Sequence, residues 1–302
     1  MSLTHLRYFD EVVRTGSIRL AAERLRITPS AISRQVKKIE DQIGAPLFVR
    51  NARGVVLTSA GELYASYARA ALVERDRIHG EIDDLKGLRR GHVRICSAEG
   101  FVDELTATIA SFRVRHPGVT FHVVVVGSEH IHQILNAGDA DVGIAYTASA
   151  QPGIRYALRR RAPIFAVMTR EHPLAGTRRL SLAATMAHPI AVPDKTFGIR
   201  RLLDSQCQAS RLTLRPVMEA NSIQALRMFV RSGGGVTFLP FVTVRRDIEQ
   251  RAVLAVPMTS DRHLDKGTLD VCVSESRKLP KVAATFIAHL QLSLVEQGAS
   301  LA

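Results

Sequence analysis

The first sixty residues contain two short amphipathic patterns, separated by a break that leaves room only for a tight turn. The first pattern runs from Ile18 to Leu25 and the second covers 29–43. Thr28 and Pro29 open the second pattern, where threonine is a good N-cap and proline at the first helical position loses no hydrogen bond. Small residues at Ala21 and Ala22 allow two helices to approach closely. The pattern predicts a helix-turn-helix.

The flanking segments extend this prediction to a winged domain. Apolar residues recur every three or four positions over 3–13, which predicts a preceding helix. Segment 46–58 reads as two short strands around a turn that contains Gly54, the arrangement of a wing. Residues 1–60 hold ten Lys or Arg and five Asp or Glu, whereas residues 61–90 hold six of each. A basic helix face of this kind fits the major groove of DNA, and the alternative is a solvated face of a helical bundle.

Four motifs in this segment, AAERL, PSAISRQVKKIE, IGAPLFVR and LTSAG, occur in an order and spacing that resemble the head of LysR-type transcriptional regulators. The resemblance covers residues 1 to about 61. Ile18, where an aromatic residue is usual, and Arg19 depart from the family pattern without removing a core position. The resemblance implies that the following residues face DNA, with the last two on the wing: Pro29, Ser30, Ser33, Arg34, Lys37, Arg50 and Arg53. We expect Arg34 to contact a base edge and Lys37 to contact phosphate.

A long helix is predicted after the wing. Ser59 and Glu62 fit a capping box, and Thr58 is the rival N-cap. The helix is expected to continue to about Leu88. Positions in steps of four and three form a seam that is apolar except at Arg75: Tyr64, Ala68, Ala71, Arg75, Ile78, Ile82 and Leu85. Such a seam favours a homodimer, with packing against the chain's own domain as the alternative. The family resemblance implies that such dimers can assemble further into a homotetramer.

Beyond Gly91 short apolar runs alternate with helix-length segments, which predicts an α/β architecture with parallel sheets. Buried strands are expected at 93–96, 121–126, 142–145, 164–168, 190–192, 236–239 and 269–273. Helices are expected at 105–112, 131–135 and 280–291. Chain crossovers near 159–162 and 257–266 divide this part into two lobes. The resemblance implies an effector domain like type 2 periplasmic binding proteins, with a ligand cleft between the lobes.

The predicted fold class is therefore multidomain: an all-α winged helix-turn-helix DNA-binding domain, a long linker helix, and a two-lobed α/β effector domain. The expected domain bounds are 1–58, 59–90 and 91–302. Lobe I takes about 91–161 and 267–302, and lobe II takes about 162–266.

Ligands of open α/β sheets bind beyond the carboxyl ends of the strands, which places several loops at the cleft. The candidate effector-binding residues are Ser97, Ala98, Glu99, Ser128, Thr147, Phe197, Ile199, Arg200 and Asn221. Ser97 and Ser128 each precede a predicted helix and would suit a carboxylate, with an ordinary N-cap as the alternative. Glu99 and Glu129 favour an amine or a zwitterion instead.

Oxidation of a thiol is the alternative signal, since the chain has three cysteines, Cys96, Cys207 and Cys272. Their number and spacing fit neither a disulfide framework nor a zinc site. Reactivity would require an exposed thiol of low pKa, and a buried cysteine that acts as a small apolar residue is the other interpretation.

The sequence offers no chemistry typical of an enzyme. It lacks GxSxG, a P-loop and zinc-ligand spacing, and Gly233-Gly234-Gly235 lies between a helix and a strand, the wrong order for cradling phosphate. We expect no cofactor. A secreted binding protein is disfavoured because the N-terminus lacks a signal peptide pattern and no apolar run spans a bilayer. The expected partners are double-stranded DNA, a small molecule and, if the protein activates transcription, RNA polymerase, all in the cytoplasm.

Overall fold

The computed structural model describes residues 3–51, 54–84, 91–147, 151–259 and 263–299. Its contacts divide the chain into two units, Met1–Ile82 and Asp83–Ala302. None of the helices in the described residues is long and apolar enough to cross a membrane.

The first unit begins with three helices, followed by a hairpin and a long helix. The elements are α1 (Leu3–Thr15), α2 (Ile18–Leu25), α3 (Pro29–Ile43), β1 (Phe48–Asn51), β2 (Gly54–Leu57) and α4 (Ser59–Asp84). Ser17 Oγ accepts from the Leu20 N–H at 3.4 Å and caps α2. Thr28 Oγ1 accepts from the Ala31 N–H at 3.3 Å and caps α3. The two strands pair antiparallel, so the predicted helix-turn-helix and wing are both present.

Phe9 of α1 lies at the centre of the core that joins this helix to the wing and to α4. Its ring is fully buried, 4.9 Å from the Phe48 ring and 4.8 Å, edge-on, from the Tyr64 ring. Ala68 of α4 is fully buried in the same cluster. Part of the predicted dimer seam therefore packs within its own unit. Ile78, a later member of that seam, is exposed.

The N-cap of α4 is Thr58, which corrects the expectation for Ser59. Thr58 Oγ1 accepts from the Gly61 N–H at 2.9 Å and donates to Pro46 O at 2.7 Å. The second bond ties the cap to the start of the wing, which is a contact that a capping-box pattern does not reveal. The stretch from 85 to 88, which the predicted helix includes, lies outside the described residues.

The second unit consists of two lobes, each built on a five-stranded sheet. Lobe I contains β3 (Gly91–Ser97), α5 (Val102–Arg115), β4 (Val119–Val125), α6 (Ile131–Ala137), β5 (Val142–Tyr146), β6 (Ile154–Arg161), β12 (Thr268–Ser274) and α11 (Lys281–Ala299). Lobe II contains β7 (Ile164–Met168), α7 (Leu182–Thr185), β8 (Ile190–Pro193), α8 (Gly198–Ala209), β9 (Met218–Ala220), α9 (Ile223–Arg231), β10 (Val236–Pro240), α10 (Phe241–Glu249) and β11 (Leu254–Pro257). The sheet orders are β4-β3-β5-β12-β6 and β11-β7-β10-β8-β9.

Both sheets are mixed, whereas the sequence predicted parallel sheets. In lobe I, β12 runs antiparallel to β5 and β6, and in lobe II, β7 runs antiparallel to β10 and β11. The antiparallel strands are the ones that lead into or out of the two crossovers, because the chain reverses its direction on passing between lobes. The first crossover is Ala162 and Pro163, since Arg159 to Arg161 belong to β6.

Strand β4 corrects a second expectation. Its sequence reads as a buried strand, but it forms the edge of the lobe I sheet, and Val124 and Val125 are exposed. The cores of the two lobes are separate clusters, with Phe112 and Phe286 in lobe I and Phe238 in lobe II.

Candidate functional site

The outer face of α3 presents the side chains expected to meet DNA. Pro29, Ser30, Arg34 and Lys37 are exposed, and Ser33 is half-buried. The Lys37 ammonium lies 3.0 Å from the carboxylate of Asp41, and this hydrogen bond and charge raise the pKa of Lys37. The opposite face is held in the core by Ile32, Val36 and Ile39. The face of α3 that the sequence predicts to meet DNA is therefore exposed on the surface of its unit.

The wing is anchored by a residue that sequence reasoning missed. Glu40 Oε1 accepts from the backbone N–H groups of Leu47 and Phe48, at 2.8 and 3.3 Å. A carboxylate on α3 thus fixes where the wing begins. Arg50 lies in β1 opposite Val55. Arg53 lies outside the described residues.

A cavity of about 20 Å³ lies between the two lobes. Its lining is mainly apolar and comes from both lobes: Ala98, Gly100, Phe101, Ser128, Tyr146, Phe197, Gly198, Ile199, Ile223, Val242, Thr243 and Leu269. Four of the candidate effector residues are in this lining, namely Ala98, Ser128, Phe197 and Ile199. The other five candidates are not part of this lining: Ser97, Glu99, Thr147, Arg200 and Asn221.

The two candidate serines do not cap helices. Ser97 is fully buried and its Oγ donates to the carbonyl of Ala98 at 3.1 Å. Ser128 Oγ accepts from the Tyr146 N–H at 3.1 Å and keeps its own proton for another acceptor. The N-cap alternative is wrong for both, and of the two serines only Ser128 belongs to the cavity lining.

Arg200 is committed to its own lobe, which corrects its assignment to the ligand. Its guanidinium lies 2.9 Å from Asp204 and 2.7 Å from Glu219, and it donates to Pro193 O at 3.0 Å. These two carboxylates hold its pKa above the usual range against the opposing effect of burial. Asn221 is exposed. Neither residue is in the cavity lining.

Thr147 and Arg201 meet at the rim of the cleft. Thr147 adopts a positive φ of 51°, and its Oγ1 accepts from the Thr268 N–H at 3.2 Å. Arg201 Nη2 of lobe II donates to the Thr147 carbonyl of lobe I at 3.4 Å. At this rim, the arginine next to the predicted one is therefore the cation that contacts the other lobe.

Glu99 forms a polar contact between the lobes through both of its carboxylate oxygens. Its Oε1 accepts from Ser222 Oγ at 2.9 Å and from the Gln224 N–H at 3.1 Å. Its Oε2 accepts from the Ile223 N–H at 2.8 Å. A carboxylate of lobe I thus caps helix α9 of lobe II, where free N–H groups and the helix dipole favour negative charge.

Two further acids of lobe I contact arginines of lobe II. Asp103 lies 2.9 Å from Arg227, and the nearly fully buried Glu104 pairs with Arg245. Sequence reasoning missed both acids. Their only local signal is a pair of acidic residues in the first turn of a helix, a pattern that is equally typical of an ordinary helix start.

All three cysteines are buried. Cys96 and Cys272 both pair with Gly143, from strands on either side of it. Their Cα atoms are therefore two strand spacings apart, roughly 10 Å, which is too far for a disulfide. Burial raises the pKa of both thiols to about 12, and it also raises the pKa of Cys207.

Comparison with protein families decides the class of the chain. Residues 3–62 match the bacterial regulatory helix-turn-helix protein family, lysR family, and residues 86–294 match the LysR substrate binding domain. The chain belongs to the LysR family. It is a LysR-type transcriptional regulator with a DNA-binding head and an effector-binding domain, and its relatives are regulators rather than enzymes. The resemblance noted in the sequence is confirmed, as is the predicted fold class.

The characterised relatives of this LysR-type regulator are similar over most of their length. The RuBisCO operon transcriptional regulator of Allochromatium vinosum is 29% identical over 256 residues, covering 85% of each chain. The transcriptional activator CmpR of Synechocystis is 26% identical over 294 residues, covering 96% of this chain and 94% of CmpR.

Solved structures share the fold. A full-length OxyR variant from Pseudomonas aeruginosa has a TM-score of 0.73 at 19% identity, with 97% of this chain and 95% of OxyR covered. Full-length CbnR in complex with its target DNA has a TM-score of 0.65 at 19% identity, with 97% and 100% covered.

Proposed function

We propose that this LysR-type regulator reads a specific double-stranded DNA site with α3 and the wing, and that a small molecule between the two lobes modulates its activity. The interlobe cavity carries the second half of the proposal, because its lining comes from both lobes and a ligand there would change their separation. DNA as the partner places the protein in the cytoplasm.

For DNA recognition we propose contacts from Pro29, Ser30, Ser33, Arg34, Lys37, Arg50 and Arg53. The exposure of Arg34 and Lys37 on the face opposite the core supports this assignment. A homodimer or homotetramer would present two or more heads to a two-fold-related site. If the protein activates transcription, RNA polymerase is a further partner.

Arginine and lysine on α3 should affect DNA binding differently. Arg34→Ala should weaken binding to the specific site by roughly 1–3 kcal/mol, with little effect on random DNA, because a base-edge contact is lost. Lys37→Ala should weaken both, because a phosphate contact carries no sequence information. Gel-shift titrations on specific and random duplexes measure the two effects. Equal losses on both duplexes for both variants would contradict the assignment.

For the effector we propose a small carboxylate. The N-terminus of α9 already holds a carboxylate, that of Glu99, and Arg201 supplies a cation at the rim. Titration calorimetry of the full chain with acetate, succinate and benzoate tests the class. Absence of heat with all three would remove the carboxylate. Thiol oxidation is the less favoured signal, because burial and raised pKa values oppose thiolate formation at the three cysteines.

A further inference from the structure

Glu99 occupies the polar seam of the cleft in which an effector would bind. We propose that Glu99 is an intramolecular competitor of the effector: its contact with α9 holds the lobes closed, and the contact and a bound effector exclude each other. This inference rests on the proposed effector cleft and describes how access to that cleft is controlled.

Both carboxylate oxygens of Glu99 take part in this contact. It receives three hydrogen bonds from one turn of lobe II, from Ser222 Oγ and the N–H groups of Ile223 and Gln224, at 2.8–3.1 Å. Such charge-assisted bonds are stronger than neutral ones. Ser222 Oγ also accepts from the Ala225 N–H at 3.2 Å, so the hydroxyl group is part of the helix cap and is held in place.

Neighbouring ion pairs strengthen the same seam. Asp103 pairs with Arg227, whose Nε is in turn held by buried Asp247 at 2.7 Å. Glu104, the next residue of the lobe I helix α5, pairs with Arg245. Negative charge from one short stretch of lobe I therefore meets donors on α9 and α10. We call the contacts of Glu99, Asp103 and Glu104 with lobe II the interlobe clasp.

In this arrangement of the lobes the cavity is too small for an ordinary small-molecule ligand. A volume of about 20 Å³ accommodates about one water molecule, whereas small-molecule sites measure roughly 300–1,000 Å³. A ligand must therefore part the lobes or displace the groups that line the cavity. Ile223 belongs both to that lining and to the Glu99 contact. Movement that admits a ligand at this point breaks the bond from Ile223 to Glu99.

Hydrogen exchange of the full chain tests the contact directly. In Glu99→Ala the amides of Ile223 and Gln224 should exchange about tenfold faster or more, since each loses a charge-assisted bond. Glu99→Gln keeps the side-chain volume and should give a smaller increase. Glu129→Ala is the matched control, because Glu129 is an exposed acid of lobe I whose carboxylate lies near His130. Unchanged exchange of both amides in Glu99→Ala would overturn the clasp.

Acetate separates the loss of the carboxylate from general damage. Sodium acetate should slow exchange of the two amides in Glu99→Ala, while sodium chloride at the same ionic strength should not. In the unmodified chain acetate should not slow exchange of either amide, because Glu99 already accepts both hydrogen bonds. Equal responses to acetate and chloride in Glu99→Ala would contradict the role of Glu99 as a tethered anion.

Competition is measured by calorimetry with acetate, succinate and benzoate. Removing a competitor should make the carboxylate that binds the unmodified chain bind Glu99→Ala about tenfold more tightly. Equal affinities would overturn the competition. If exchange increases as expected but neither protein binds any of the three, the clasp stands and the proposed carboxylate effector fails. The interlobe clasp and the carboxylate effector are therefore contradicted by different results.

Discussion

At the scale of single residues, burial decides which chemistry each side chain has available. Cys96 and Cys272 lie in a buried cluster beneath α6, and Gly143 between them leaves the space into which Ile131 and Leu135 of α6 pack. A thiolate there would have to form without water. Arg200 is likewise shielded from water. Its charged guanidinium tolerates burial because two carboxylates and a backbone carbonyl accept its hydrogen bonds.

Thiol reactivity provides the prediction at this scale. Because the pKa of Cys96 and Cys272 is raised to about 12, their thiolate forms appear only as pH approaches that value. At pH 8 the thiols of the folded protein should react with iodoacetamide far more slowly than a free cysteine peptide. After unfolding in guanidinium, all three thiols should react at the rate of that peptide. Rapid labelling of the folded chain at pH 8, measured by mass spectrometry, would favour thiol sensing instead.

At the scale of elements, local signals are the ones the sequence predicts well. The bounds of α2 and α3 match their predicted bounds, because Ser17, Thr28 and Pro29 act within one turn of their own positions. Strand β6 was missed because its apolar residues are interrupted by four arginines, and what stabilises it is pairing with β12, more than a hundred residues away along the chain. The antiparallel direction of β12 likewise depends on the return of the chain between lobes.

The candidate site shows the same limit. Four of the candidate residues lie in the cavity lining, namely Ala98, Ser128, Phe197 and Ile199, because strand ends can be located from local pattern. Sequence reasoning could not assign a partner to Glu99, since the N-terminus of α9 lies more than a hundred residues further on. Local pattern finds the loops of a site, and only the packed lobes show which polar groups are already satisfied.

The cap of α4 gives the prediction at the element scale. Thr58→Ala should lower the free energy of unfolding by about 1 kcal/mol, since the Gly61 N–H loses its acceptor and Pro46 O loses a donor. Thr58→Ser should retain most of the stability. Ser59→Ala is the neighbouring control and should change little. Urea unfolding followed by circular dichroism measures all three, and a larger loss for Ser59→Ala than for Thr58→Ala would restore Ser59 as the cap.

At the scale of the whole molecule, ion pairs join the two lobes of the effector-binding unit across the cleft. Each lobe has its own apolar cluster, Tyr146 of lobe I also packs into the lobe II cluster, and acids of lobe I contact arginines of lobe II. Burying such ion pairs costs desolvation free energy, and their favourable contact is lost once the two charged groups separate. A seam held in this way suits lobes that alternate between two arrangements better than a continuous apolar interface would.

The pair formed by Glu104 and Arg245 tests that view. Arg245→Met should destabilise the effector-binding unit by about 3–5 kcal/mol, because it leaves the carboxylate of Glu104, 2% exposed, without its cation. Adding Glu104→Leu should recover much of the loss, since the uncompensated charge is then gone as well. Arg246→Ala is the control: Arg246 is exposed and donates only one 3.3 Å bond, to Asp103 O, among the contacts described. Thermal and urea unfolding of the unmodified protein, Arg245→Met, Glu104→Leu and the double variant give the coupling energy between the two side chains. If the double variant loses as much as the two single variants together, charge compensation is not what joins the lobes, and apolar contacts around the cavity would have to do so.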